Sequence, residues 1–566
     1  MNQLSSIDQI DLTPKPGKKY WRNSYREWRE EFIYFLMVDR FHDNLERKPI
    51  LQKERTAGFG GSEQLKQSCG GTIQGITKHL EYISNLGCTA IWLSPVFENN
   101  PNSYHGYAIQ NYLAIDARFG TTKDMIELVE QAHALGLRVF LDIVLHHSGD
   151  NWFYPEDKRY YYYNEITFPF GGWRSENLPI PTELRNASFY SRKGEIKNFD
   201  AYPETREGDF FSYKTFLNDE SPEGLKVEEI LLKIHCYWMR ELDIDGFRLD
   251  AVKHMGEMAV ARFCSKIREF AYTLDKRNFF LFGELVAGDE LCNNYIGPLT
   301  SKIVGDTDIY YGLDSVLDFP LYNVLPGVIK GSLSPTALVD RYKKLYSNSL
   351  HRGEFGRYLV TFLDNHDQVG STYKERFGVE ASMQQIVAGI GYILCSIGTP
   401  CIYYGTEQGF SGEGEGDQYI REAAFNLNDS ETNTLNTDCL IYQEIKKIAS
   451  IRSQHAPIKF GAMYFRQTSS NGIQFDFPDK QPCIIAFSRI LFHDEILIAY
   501  NTSTDQTIEQ YVLIDYEISN KKKNFAFLYG GTGTLDILQH IDYPIQLCFI
   551  KLALSPMQMV ILKSVL

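Results

Sequence analysis

Four short apolar runs in this chain each end in a carboxylate or a histidine: residues 139–147 (VFLDIVLHH), 245–254 (DGFRLDAVKH), 279–284 (FFLFGE) and 360–367 (VTFLDNHD). Strands buried on both faces of a parallel sheet read as continuous hydrophobic segments. In a closed parallel barrel, reactive groups sit where those strands emerge at the carboxyl face. The pattern predicts that Asp250, Glu284 and Asp367 converge in space. Taken singly, each acid is as well explained by a helix cap or by pairing with a nearby base; four repeats of the pattern favour a shared site.

The surrounding pattern supplies the other strands. Residues 31–41 (EFIYFLMVDRF) and 88–96 (CTAIWLSPV) give the first two, and 137–144 the third, preceded by TTKDMIELVEQAHALG with apolar residues at helical spacing. The fourth covers 245–250, the fifth ends at Glu284, the sixth covers 315–320, the seventh ends at Asp367 and the eighth covers 401–408. Eight strands with intervening helices predict a (β/α)8 barrel of the TIM type. Between strands three and four, residues 149–213 are rich in Tyr, Phe, Pro, Asn and Gly without a helical period, which predicts a small inserted domain instead of a structureless loop. Beyond Pro457, short alternating segments such as GIQFDFP, CIIAFSRIL and MQMVILK predict an antiparallel β-sandwich. The division is a lead segment 1–30, a barrel 31–147 and 214–456, an insertion 148–213 and a carboxyl-terminal domain 457–566. GEGEGD (412–417) reads as a short acidic loop near the barrel mouth.

Composition limits what such a body does. The 566 residues suffice for one barrel with additional domains, and the formal net charge of −15 repels phosphate backbones and anionic lipid heads, so neither nucleic acid nor membrane is expected as a partner. The first residues show no apolar core of an export signal, and no run of about 18 apolar residues occurs. Ten scattered cysteines without CxxC pairs fit free thiols in a reducing cytoplasm. Arg248 stands two residues before Asp250, so both side chains share one face of a strand, where a guanidinium favours the ionised carboxylate.

These motifs resemble those of the α-amylase family of retaining glycoside hydrolases and glucanosyltransferases (glycoside hydrolase family 13), from about Tyr34 onward. DIVLHH, DGFRLDAVKH, FGEL and FLDNHD are similar to its four conserved segments, YHGYAIQ (104–110) to its aromatic loop, and PCIYYGTEQG (400–409) to its eighth strand. The resemblance implies cleavage of α-1,4-glucosidic bonds of starch- or glycogen-type glucans or maltooligosaccharides. Asp250 would be the nucleophile, Glu284 the general acid and later base, and Asp367 the third carboxylate that binds sugar hydroxyls.

By the same resemblance Arg248, His147 and His366 contact the central sugar, Tyr107 stacks on it, and Lys253 and His254 grip the leaving-group side. Asp142 is read as structural support for Arg248. Relatives that bind calcium between barrel and insertion carry Asn before the first-segment histidine; here that position is His146, and imidazole is a poor ligand for a hard cation. Asp209 resembles the insertion's acidic ligand, but no metal residue is assigned and no cofactor is expected. With calcium absent, Tyr160 to Tyr163, Phe168 and Phe170 are expected to hold the insertion by aromatic packing. Glucanotransferase activity, action on short α-glucosides and a catalytically silent glucan-binding protein are the alternatives.

Overall fold

Each of the eight apolar runs forms a strand, and together they close a parallel barrel in chain order. The strands are β1 (Ile33–Leu36), β2 (Ala90–Leu93), β3 (Arg138–Ile143), β4 (Gly246–Leu249), β5 (Phe280–Gly283), β6 (Ser315–Leu317), β7 (Leu359–Thr361) and β8 (Thr399–Tyr403). The computed structural model describes residues 4–21, 27–156, 160–161, 166–303, 306–348, 355–368, 375–412, 414, 416–542 and 545–565. Every residue of β1 to β8 is buried, as expected of strands walled by side chains inside and helices outside.

The barrel strands are shorter than the apolar runs that announce them. Hydrophobicity continues past the last ladder pair because the rim is itself packed. At the sixth run the ladder ends at Leu317, and the Asp318 carboxylate accepts the Leu321 N–H at 3.0 Å, capping the helix Phe319–Tyr322. The eighth strand begins at Thr399 and stops at Tyr403, with Thr406–Gln408 forming a 3-10 turn. An antiparallel hairpin, Pro298–Ile303 with Asp306–Tyr311, lies between β5 and β6 and was not expected from the sequence.

The helices explain the register of the rim. Helix Thr122–Ala134 starts at a capping box in which Thr121 and Asp124 satisfy each other's backbone N–H, and it turns Met125, Leu128, Val129 and Ala132 inward. Helix Pro222–Leu242 has Ser221 as its cap and Pro222 in its first turn, and stops at Asp243, whose φ of 64° breaks the helical path. It delivers the chain to Asp245 at the foot of β4, where the carboxylate accepts the Val139 N–H at 2.9 Å and meets His133 Nε2 at 2.8 Å. That contact pins β4 against β3 below the site. At the same end Trp28 of the lead segment stacks on Phe280 with ring centroids 4.3 Å apart.

Within the insertion, short bridges and 3-10 turns surround an aromatic nucleus. Trp152 is fully buried against Tyr154 (4.7 Å), Phe170 (5.5 Å) and Tyr190 (5.9 Å), and Tyr190 packs on Phe216 at 5.1 Å. Phe168 joins through Tyr154 at 5.9 Å, so both expected phenylalanines take part. Of the tyrosine run, Tyr161 is buried and donates its hydroxyl to Glu207 at 2.9 Å, Tyr160 is 39% exposed, and Tyr162 and Tyr163 lie outside the described residues. Trp152, which touches Tyr154, Phe170 and Tyr190 directly and Phe168 and Phe216 through them, is the better centre.

The carboxyl-terminal part is two antiparallel sheets. One has Ala462–Phe465 at one edge, then Ile484–Leu491, Asp494–Asn501, Met559–Val565, Asn524–Tyr529 and Thr534–Asp536; the other runs Thr468–Ser469, Ile508–Ile514, Ile545–Leu554, Leu538–Asp542. Ile484, Leu497, Val512, Phe525, Ile550 and Leu562 form the core of this sandwich. Arg489 anchors it to the barrel, its guanidinium donating to the Cys395 carbonyl at 2.9 Å and to the Ser396 carbonyl. All ten cysteines are free thiols. No helix among the described residues is long and apolar enough to cross a membrane.

Candidate active site

One guanidinium organises the carboxyl rim of β3, β4 and β5. Parallel pairing sets Asp142 of β3 opposite Arg248 of β4, and Arg248 Nη1 lies 2.8 Å from Asp142 Oδ1 and 2.8 Å from Asp250 Oδ1. Its Nη2 forms an ion pair with Glu284 Oε2 at 2.8 Å. The expected supporting role of Asp142 is explicit, because its other oxygen accepts the Tyr107 hydroxyl at 2.8 Å and the Trp92 indole N–H at 3.1 Å. Arg248 also lies over the Trp92 ring, which stacks on Phe35, so the guanidinium has little room to move.

Ala251 links the two central acids. It holds a left-handed φ of 50°, uncommon for a residue with a side chain, and this turn aims its N–H at Glu284 Oε2, 3.3 Å away. The Val252 N–H donates to the Glu284 carbonyl at 3.0 Å, so the rims of β4 and β5 are fixed to one another where the carboxylates meet.

Asp367 enters from the loop beyond β7. Its Oδ1 accepts Arg421 Nη2 at 2.7 Å, and the Arg421 Nε–H donates to the His366 carbonyl at 2.8 Å. Arg421 Nη1 donates to the Tyr104 hydroxyl at 3.1 Å. Arg421 is not announced by the sequence pattern, since it follows the eighth strand and no apolar run marks it; its one local signal is Asp417 four residues earlier, 3.5 Å from Arg421. Of the acidic loop before it, Glu413 and Glu415 lie outside the described residues.

The charges decide the proton inventory. Buried Asp142 and Asp250 and the largely shielded Glu284 face one guanidinium, and loss of solvent raises the pKa of all three despite the lowering influence of Arg248. Arg248 was expected to keep Asp250 readily ionised. Instead burial, with the Asp142 and Asp367 charges adding to it, outweighs the guanidinium. Glu284 is also raised, with Asp250 and Asp367 as its charged neighbours, which favours holding a proton there.

The histidines are largely spoken for by protein atoms. His147 lies 3.2 Å from the Tyr107 carbonyl through Nε2, so that nitrogen carries the donated proton, and its Nδ1 faces His146 Nδ1 at 3.3 Å. His366 stacks on the Tyr107 ring at 5.2 Å and 18°, and burial lowers its pKa to about 3. Tyr107 is more embedded than a free stacking platform: His105 lies near its ring at 5.7 Å, and 8% of the residue stays exposed. Lys253 is ion-paired to Asp200 of the insertion, and the His254 Nδ1–H donates to the Thr205 carbonyl at 2.6 Å. Thus Asp250, Glu284, Arg248, Asp367, His366, Tyr107 and His147 share one wall system, while Lys253 and His254 stand where barrel and insertion meet.

The neighbourhood of His146 does not suit calcium. Its imidazole packs on Phe210 at 4.8 Å and near His254 at 5.7 Å, placing rings where a hard cation needs several oxygens. Asp209 accepts the Tyr154 hydroxyl at 2.6 Å and the Thr215 N–H at 3.0 Å, and the nearby Lys214 charge opposes the pKa rise that burial causes. No cluster of three metal-ligating His, Cys, Asp or Glu side chains occurs among the described residues.

A family model described as the catalytic domain of alpha amylase matches residues 35–439. The chain is 28% identical over 498 residues to an alpha-amylase of Streptomyces lividans, an alignment covering 76% of this chain and 52% of that protein. It is 24% identical over 530 residues to a cyclomaltodextrin glucanotransferase of Klebsiella oxytoca, covering 86% and 72%. The chain therefore spans about half the length of the first of these relatives. In three dimensions it is similar to an alpha-amylase from Geobacillus thermoleovorans complexed with acarbose, with a TM-score of 0.69 at 23% identity, covering 95% of this chain and 99% of that one.

Proposed function

This chain belongs to the alpha-amylase family, and on that premise we propose that it cleaves α-1,4-glucosidic bonds of starch- or glycogen-type glucans or maltooligosaccharides with retention of configuration. The observation that carries this reading is the attachment of Asp250 and Glu284 to one Arg248 guanidinium, with Asp367 held by Arg421. Glycoside cleavage needs an anion at the anomeric carbon and a proton for the departing oxygen. Glu284, favoured to be protonated, supplies the proton; Asp250 attacks C1 and forms a covalent glycosyl intermediate. The Glu284 carboxylate then takes a proton from water, whose oxygen attacks C1 and displaces Asp250.

Arg248 orients both acids through the cycle, and Asp367 accepts hydrogen bonds from sugar hydroxyls as positive charge develops. A location in a reducing cytoplasm belongs to the same proposal and is supported by the ten unpaired thiols. A second reading, glucanosyl transfer, is favoured by the likeness to a cyclomaltodextrin glucanotransferase that spans most of both chains. Following chain lengths after incubation with purified maltooligosaccharides separates the two. Hydrolysis yields only shorter chains, transfer yields longer ones as well, and no change in any glucan would defeat both readings in favour of a silent binding protein.

A further inference from the structure

The insertion reaches the catalytic carboxylates through Tyr213. A turn closed by the Tyr213 N–H on the Phe210 carbonyl at 2.8 Å, with Phe211 at a φ of 53°, precedes a short antiparallel ladder. In that ladder Thr215 pairs with His147 and Lys214 with Ser148. Tyr213 is therefore set beside the barrel rim, its ring parallel to the His147 imidazole within 11° at 5.0 Å.

The tyrosine hydroxyl has a definite polarity. It lies 3.0 Å from His105 Nε2. The His105 Nδ1 accepts the Tyr107 N–H at 3.0 Å, so this nitrogen is unprotonated. Burial, with the Arg421 charge adding to it, lowers the His105 pKa to about 3, so the ring is neutral and its proton sits on Nε2. The Nε2–H then points at the Tyr213 oxygen and at Ser103 Oγ, also 3.0 Å away. The Tyr213 oxygen is an acceptor in this contact, and its own O–H finds no acceptor among the described residues. Tyr213 is only partly buried, and the charged groups acting on it are Arg421, Asp250 and Asp367. A donor with no protein acceptor among the described residues thus lies beside His147, within electrostatic reach of Asp250 and Asp367, where His147 has both nitrogens turned to protein atoms.

We propose that Tyr213 is a substrate-binding residue, its phenolic O–H donating a hydrogen bond to a hydroxyl of the glucose unit seated against Asp250 and Asp367. The assignment rests on the α-glucan reading above and extends the site from the barrel into the insertion. Tyr213→Phe keeps the ring on His147 and removes the hydroxyl, while the His105 Nε2–H retains Ser103 Oγ as its acceptor. One neutral hydrogen bond implies a loss in kcat/KM of about five- to tenfold on maltooligosaccharides, with the melting temperature unchanged. Maltosides in which single hydroxyls of the reacting glucose are replaced by hydrogen provide the readout that a merely structural role would not move. Against one of these analogues wild type and Tyr213→Phe should become equal. Wild-type activity with no Tyr213→Phe effect, or an equal loss on every analogue, overturns the assignment alone. A wild-type protein that neither binds nor cleaves maltooligosaccharides overturns the functional reading, and the assignment with it.

Discussion

Replacing Glu284 by Gln should stabilise this protein, and increasingly so as the pH rises. Glu284 sits in a buried group of acids that outnumbers the guanidinium serving it, and its folded-state pKa is raised above the ordinary 4.5 by burial first and by Asp250 and Asp367 next. The sign follows from linkage. A carboxyl whose pKa is raised on folding contributes stability that is complete below its unfolded value and is lost as the pH climbs through the folded value. Each unit of elevation corresponds to about 1.4 kcal/mol, so the penalty at alkaline pH is on the order of 1–3 kcal/mol. The amide has the same shape, carries no charge in either state and escapes that penalty. Melting curves of wild type and Glu284→Gln at about pH 5 and about pH 8.5 test this, with the difference widening by a few degrees in favour of the variant at the higher pH. A variant that loses stability by the same amount at both values would refute the electrostatic reasoning.

The same substitution should lower activity at least about a hundredfold, with a smaller loss on a substrate whose leaving group needs no proton. The kcat/KM profile should be bell-shaped, falling on the acid side as Asp250 takes up a proton and on the alkaline side as Glu284 gives one up, with both limbs displaced above ordinary carboxylate values. Arg421→Leu should cut kcat/KM about tenfold or more by leaving Asp367 without its partner, and Arg421→Lys should recover part of that loss. Chelating calcium should barely change activity or melting temperature, while His146→Asn is expected to introduce a calcium response; a large loss with chelator that calcium restores would show a site despite the rings around His146.

The carboxylates were legible because a parallel barrel writes its site into linear order. Asp250, Glu284 and Asp367 each follow an apolar run, and Arg248 shares a strand face with the first of them. Arg421 was not legible, for its meaning lies in a contact with Asp367 across 54 positions, and no periodicity encodes such a pairing. Tyr213 was hidden among the many aromatics of the insertion, its place set by a turn and a two-residue ladder. The hairpin at Pro298–Ile303 and Asp306–Tyr311 escaped because it stands outside the barrel and its segments, PLTSKI and DTDIYY, lack the continuous apolar run that announces a barrel strand. The upward displacement of Asp250 escaped for a different reason: the sequence shows that Arg248 is near, but not how deeply Asp250 is buried or that the Asp142 and Asp367 charges lie close to it.

The central claim is that Asp250 attacks the anomeric carbon and Glu284 protonates the departing oxygen, and the anomeric form of the first product tests it most directly. Proton NMR spectra recorded during the first turnovers of a maltooligosaccharide should show the new reducing end appearing as the α-anomer, with β-anomer growing in only at the rate of mutarotation. Initial formation of the β-anomer would mean a single displacement by water, and would contradict the assignment of Asp250 as nucleophile.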